Sequence, residues 1–143
     1  MTYRIAHVRR DSYEYRDVLR SLVSVRRMGL GRWYAVQACL GAESSCLAVA
    51  WFSSGRVAGA SSYRVFEGQI KRINTGAVVR GRGVGRALVR FIAEQNPGLP
   101  MWSKNTKEGG KFARALGMRY VGREGRHTKH EWSAAEVKQW LAA

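Results

Sequence analysis

Apolar positions along this chain change period several times, and each change marks an element. Tyr3 to Val8 reads as a first strand. Asp11 followed three residues later by Glu14 forms a capping-box signature, and Tyr15, Val18, Leu19, Leu22 and Val25 then recur at helical spacing. Arg26 and Arg27 suit the C-terminal dipole of that helix, and Gly29 its stop. Trp33, Val36 and Leu40 fit a helix, whereas Trp33, Ala35 and Gln37 also fit an edge strand, so residues 33–40 are expected to be helical or irregular. Cys46 to Phe52 is a dense apolar run, stopped by Ser53-Ser54-Gly55 and resumed from Arg56 to Phe66, which predicts a hairpin. Glu67-Gly68 makes a second turn, and Gln69 to Val79 predicts the third strand of a meander.

The meander runs into Arg80-Gly81-Arg82-Gly83-Val84-Gly85. Beyond it Val84, Ala87, Leu88, Phe91 and Ile92 mark one face of a helix that extends to about Gln95 and ends at Asn96-Pro97-Gly98. Leu99 to Ser103 predicts a strand, Glu108 to Leu116 a helix closed by Gly117, Met118 to Gly122 and Lys129 to Trp132 the last two strands, and Ala134 to Leu141 a final helix. The order implies an α+β fold, a mixed sheet with one strand-helix-strand crossover. No repeat, linker or low-complexity segment interrupts it, so residues 1–143 are expected to form a single domain.

Charge adds a second kind of information. Twenty-five basic residues face ten acidic ones, a net charge of +15. That excess attracts polyanions, and nucleic acid, an acidic protein surface or an anionic cofactor would all answer it. The basic residues are spread along the chain and form no block, so an arginine-rich composition with solvated guanidinium groups answers it equally well. No apolar stretch reaches the roughly 20 residues a membrane helix needs, and the first residues lack a secretory layout, so a cytoplasmic location without a membrane partner is the expectation. Cys39 and Cys46 are too few for a disulfide framework and are expected to be buried thiols. A metal site would need them joined by His127 and His130, whose spacing on a strand turns the rings to opposite faces; no metal is expected.

The glycine-rich turn carries the chemistry. A helix N-terminus exposes unpaired N–H groups and the positive end of the macrodipole, and Gly81, Gly83 and Gly85 leave a backbone bare enough for a diphosphate to approach. Rossmann and P-loop proteins use the same device. Here, however, the turn follows an antiparallel meander, no acidic residue stands at the dinucleotide-binding distance, and no Gly-Lys-Ser/Thr ending is present.

Arg80, Gly83 and Gly85 match the Arg/Gln-x-x-Gly-x-Gly/Ala signature without a gap, and the sequence thereby resembles the GNAT superfamily of N-acetyltransferases. The resemblance extends from the Arg56–Phe66 strand to Leu116-Gly117-Met118, which is similar to the Leu-Gly-Phe ending of the family's next helix. It implies a mostly antiparallel sheet flanked by helices and splayed between the fourth and fifth strands. It implies acetyl-CoA, or another acyl-CoA, with its pyrophosphate on the amides of Arg82, Gly83, Val84, Gly85 and Arg86, beside Arg80. The pantetheine would pair with the strand end at Ala77, Val78 and Val79. Arg82, Arg86 and Arg90, at four-residue steps, would form one basic stripe whose near end reaches coenzyme A phosphates or is merely solvated.

The implied reaction is transfer of an acyl group to an amine. The amine must lose a proton before attack, and the departing thiolate wants one. Many family members supply that proton from a tyrosine just after the phenylalanine of the second helix. The corresponding residues here are Lys111-Phe112-Ala113-Arg114, without a tyrosine, so catalysis would rest largely on positioning. Tyr63, Ser103 and Asn105 are the candidate catalytic residues, and Asn74 and Thr106 are further polar groups on the same segments. Glu67, in a tight turn, is expected to be exposed, and Trp102 and Trp132 to serve core packing, with substrate stacking as the alternative. Two other functions remain open: a DNA base-modifying protein similar to the phage Mom proteins, motivated by the +15 charge and the missing tyrosine, and a non-catalytic acyl-CoA-binding module.

Overall fold

The computed structural model describes residues 2–26, 30–41, 46–79 and 81–143. Arg80, Arg27 and the expected helix stop at Gly29 lie outside the described residues. The elements run β1 (Arg4–His7), α1 (Tyr13–Arg26), α2 (Leu30–Gly41), β2 (Cys46–Trp51), β3 (Val57–Phe66), β4 (Gln69–Ala77), α3 (Val84–Gln95), β5 (Met101–Asn105), α4 (Lys107–Leu116), β6 (Arg119–Glu124), β7 (His127–Trp132) and α5 (Ala134–Ala142). The fold is α+β, with a seven-stranded sheet in the order β1-β2-β3-β4-β5-β7-β6. β1–β2, β2–β3, β5–β7 and β6–β7 pair antiparallel. β4 and β5 pair parallel through the single register position Ile70↔Met101, with the Ile70 amide donating to the Pro100 carbonyl at 2.9 Å.

Two compact units are distinguished, and β3 and β4 contribute to both. The first comprises Met1–Tyr63 and Asn74–Ile92. Its core gathers Val18 of α1, Val36 and Leu40 of α2, Leu47 and Val49 of β2, and Val57 of β3. In the ambiguous segment the helical pattern prevails, because Val36, Cys39 and Leu40 all find buried neighbours only at 3.6-residue spacing. The α1 cap differs from the expected one. Asp11 is held by the Arg9 guanidinium at 2.9 Å, and Ser12 Oγ instead accepts the Tyr15 amide, because Ser12 is the residue immediately before the first helical position. Cys39 is buried, and its thiol is pushed up to about 12 by desolvation; Cys46 is only half-buried, since it opens β2.

The second unit comprises Arg64–Ile73 and Ala93–Ala143. Thr106 caps α4 by accepting the Gly109 amide, and Gly117 closes it in the left-handed conformation at φ 96°. Trp132 is buried and donates from its indole to the Gly117 carbonyl at 3.0 Å, so its role is packing. The last two strands are longer than their apolar residues suggest, because Gly125 (φ 60°) closes a hairpin whose polar positions pair as fully as its apolar ones. Ser133 and Glu136 form the capping box of α5. Glu67 is exposed, with its carboxylate 3.7 Å from Lys71 Nζ. Among the described residues no helix is long and apolar enough to cross a membrane, and no cluster of His, Cys, Asp and Glu is arranged to hold a metal ion.

Candidate functional site

In the first unit β4 ends at Ala77, two residues earlier than expected, although the Val78 amide still donates to the Ala58 carbonyl at 2.8 Å. The chain then turns through Gly81 (φ 74°) and Gly83 (φ 72°), conformations that L side chains rarely adopt. Gly81, Arg82 and Gly83 are exposed, and a Cβ placed on either glycine would meet nothing within 4 Å. Among the described residues, no atom beyond each glycine's chain neighbours lies within contact of those positions.

Gly83 is the N-cap of α3: its carbonyl accepts the first helical bond, from the Ala87 amide at 3.0 Å. The N–H groups of Val84 and Gly85 precede that first donor and have no intrahelical acceptor. An N-cap residue normally offers a side-chain oxygen to this turn, and glycine has none. A helix end of this kind can take an acceptor from outside the chain, at the positive end of the dipole.

Two contacts fix this turn in place. The Tyr3 hydroxyl donates to the Arg82 carbonyl at 2.6 Å. A trans peptide points its C=O and N–H in opposite directions, so restraining this carbonyl also sets the direction of the Gly83 N–H. Beneath the turn, Val84 is buried against Gly59 of β3, where an added Cβ would stand 2.7 Å from Val84 Cγ1 and 2.7 Å from the Gly76 carbonyl oxygen. Only a glycine at 59 lets the start of α3 settle this deeply. Arg82 lies in the turn, ahead of α3, so the expected three-arginine stripe reduces on the helix to Arg86 and Arg90; the turn's dihedrals break the helical spacing.

The candidate catalytic residues divide between the units. Tyr63 belongs to the first, is buried, and its hydroxyl lies 2.5 Å from His7 Nε2. Burial lowers the His7 pKa below its ordinary 6.5, favouring a neutral ring beside the Tyr63 hydroxyl. The His7 ring also meets the edge of Phe91 at 5.0 Å. Sequence reasoning missed His7, because a lone histidine on a short strand carries no spacing signal.

In the second unit the structure brings Ser103 and Asn105 together. Asn105 Nδ2 donates to Ser103 Oγ at 2.9 Å and lies 3.3 Å from His130 Nδ1. Ser103 is directly opposite His130, and Asn105 opposite Thr128, in the β5–β7 ladder. His130 is buried and His127 exposed, as their spacing on β7 requires. Thr106 is used as the α4 cap, and Asn74 is exposed, with its carbonyl accepting from the Cys39 thiol at 3.0 Å. Trp102 is half-buried, with the ammonium groups of Lys71 and Lys129 about its ring at 6.0 and 5.7 Å.

No protein-family model matches the sequence, and no curated protein matches it. Solved structures do match. An acyl-CoA N-acyltransferase from Pseudomonas aeruginosa superposes with a TM-score of 0.60 at 15% identity, covering 92% of this chain and 100% of the other. A proposed acetyltransferase from Exiguobacterium sp. 255-15 gives 0.60 at 18%, covering 97% and 98%. A GNAT superfamily phosphinothricin acetyltransferase from Sinorhizobium meliloti, solved in complex with AcCoA, gives 0.55 at 16%, covering 92% and 88%. The fold of this chain is the GNAT fold.

Proposed function

We propose that this chain is an acyl-coenzyme A-dependent N-acyltransferase, with residues 1–143 acting as one domain. The observation that carries the proposal is the exposed Gly81-Arg82-Gly83 turn with a side-chain-free N-cap, on a fold shared with acyl-CoA enzymes. The donor set suits a diphosphate: successive amides at a helix start, open space in front of two glycines, and the guanidinium groups of Arg80 and Arg82 in the same stretch of sequence.

The amides of Arg82 to Arg86 hold the pyrophosphate in this reading, and Ala77, Val78 and Val79 align the pantetheine. Acetyl-CoA, when bound, supplies the activated thioester carbon. The chain's own contribution is chiefly orientation, which removes entropy from the encounter of amine and acyl donor. Tyr63, Ser103 and Asn105 are the polar groups proposed to serve the reacting centre. The short bond to a neutral His7 gives the Tyr63 hydroxyl a defined direction and an acceptor for its proton.

Calorimetry with coenzyme A, followed by thiol release from acetyl-CoA over a panel of amines, tests the reading. Saturable binding with amine-dependent release supports it, whereas binding without release to any amine leaves a coenzyme A-binding module. The net charge of +15 favours a second reading for the acceptor, a base or amine carried on nucleic acid. A mobility shift whose log affinity falls linearly with log salt, together with altered nucleosides in coexpressed DNA, supports that acceptor, and no shift at low salt removes it.

A further inference from the structure

The second unit contains a cavity of roughly 800 Å³ between α4 and the β6–β7 hairpin. Its wall carries Lys107 and Arg114 from α4, Arg123 and Arg126 from the hairpin, and Thr128 and His130 from β7. Among the described residues none of the four cations is engaged in an ion pair, and no described lining residue is acidic. The hairpin's carboxylate, Glu124, does not line the cavity and is held by Lys129 at 2.9 Å and Lys104 at 3.7 Å. Four positive charges thus surround a concave space without internal compensation.

Two buried polar atoms on this wall lack partners: Thr128 Oγ1 and His130 Nε2. His130 is 1% exposed. Its tautomer follows from its other nitrogen. Asn105 Nδ2 lies 3.3 Å from His130 Nδ1, and an amide nitrogen can only donate, so Nδ1 is the acceptor and Nε2 carries the hydrogen. Burial and the Arg114 charge both keep the ring neutral, which preserves this assignment. A buried N–H without an acceptor costs free energy, and an oxygen supplied from outside the chain would satisfy it.

The helix lies close against β7 at this wall. Gly110, in the interior of α4, is buried, and a Cβ there would come within 2.8 Å of Thr128 Oγ1 and 3.7 Å of His130 Cε1. An interior glycine weakens a helix relative to alanine, and the contact with Thr128 is the spatial reason for one here. Tyr120, exposed on β6, sets its ring edge-on to His130 at 5.7 Å and adds a flat apolar surface to the wall.

We propose that this cavity binds a phosphomonoester on a body of nucleotide size, its oxygens held by Arg114, Arg123, Arg126 and Lys107 and reached by His130 Nε2–H and Thr128 Oγ1–H. Guanidinium forks match phosphate oxygens bidentately, and every polar group on the wall can donate. The cavity volume lies in the range of small-molecule sites, larger than a bare anion needs. The site is built entirely from second-unit residues, none of which belongs to the glycine turn.

The test uses adenosine monophosphate as probe, titrated into the whole protein by calorimetry. Saturable binding is expected, displaced by inorganic phosphate. Arg114→Gln with Arg126→Gln should weaken it by at least about tenfold for each charge-assisted hydrogen bond removed, and Thr128→Val should also weaken it. Arg16→Gln with Arg20→Gln removes the same charge from α1 and should leave it unchanged. Gly83→Asp should leave it unchanged as well, which separates this site from the proposed coenzyme A turn. Because His130 is buried and its replacement risks the fold, the unmodified protein supplies a further readout: nitrogen NMR should show Nε2 protonated and its proton shifting as the probe is added. Oligothymidylate carrying a 5′-phosphate that displaces the probe identifies a nucleic-acid strand end as the source of the phosphate, and failure to displace identifies the free nucleotide. Absence of saturable binding, equal loss in the α1 control, or an Nε2 signal unmoved by the probe overturns the proposal.

Discussion

Gly59→Ala is the substitution that probes how the glycine turn is positioned. The added methyl would sit 2.7 Å from both the Gly76 carbonyl oxygen and Val84 Cγ1, and 3.3 Å from Ala77 Cα. Ordinary contact begins near 3.4 Å. Two of these three neighbours are backbone of β4, so rotating the Val84 side chain cannot relieve all of the strain, and β3 must shift away from β4 and from the start of α3. Overpacking of this kind costs about 1–3 kcal/mol. At roughly 3–6 °C per kcal/mol for a chain of this length, the midpoint of thermal unfolding should fall by about 3–18 °C. Coenzyme A affinity should fall as well, since Val84 and Gly85 move with the helix start. Val84→Ala in the same chain removes one of the two clashes, so the double variant should be more stable than the sum of the single effects by about 1 kcal/mol. Strict additivity, or a Gly59→Ala protein with unchanged midpoint and unchanged affinity, would refute the reasoning.

Other expectations concern the same elements. Gly83→Asp and Gly85→Glu should each abolish coenzyme A binding in calorimetry, because a side chain and a negative charge enter the proposed diphosphate position, and at Gly83 the φ of 72° adds backbone strain. Tyr3→Phe should fold normally yet bind coenzyme A several-fold more weakly, since the Arg82 peptide loses its tether; equal affinity would show that the turn is held by other means. The pKa values of His7 and His130 both lie below the ordinary 6.5, so the folded chain binds fewer protons than the unfolded one near that pH. Stability should therefore decline as pH is lowered from 7 to 5, before the carboxylates titrate, and a urea midpoint that stays constant over this window contradicts the assignment of neutral rings.

Much of the fold was legible because its signals are local. The five consecutive buried residues of β2, Leu47 to Trp51, form the apolar run that marks them. Gly117 closes α4 in the left-handed form its position in the sequence suggests. What escaped depends on partners distant in sequence or on polar residues whose pattern is silent. Ser12, not Asp11, caps α1, because Arg9 takes the carboxylate. Ser133 with Glu136 is a capping box that could have been read directly. β7 begins at His127 because strand pairing, not hydrophobic alternation, extends it over polar residues.

The candidate site shows the same division. The glycine turn announces itself through three glycines in five residues. Its supports do not: Tyr3 is 79 residues from Arg82, and Gly59 looks like an ordinary strand glycine until Val84 is seen above it. His7 and His130, the partners of Tyr63 and Asn105, are isolated in sequence and meaningful only through the sheet register that brings them across.

Amide NMR during a coenzyme A titration measures the central claim most directly. The backbone signals of Gly83, Val84 and Gly85 should move first and furthest, with downfield proton shifts that a pyrophosphate-free fragment, pantetheine, fails to reproduce. Shifts scattered elsewhere, with these three amides unmoved at saturation, would contradict the assignment of the turn as the diphosphate site.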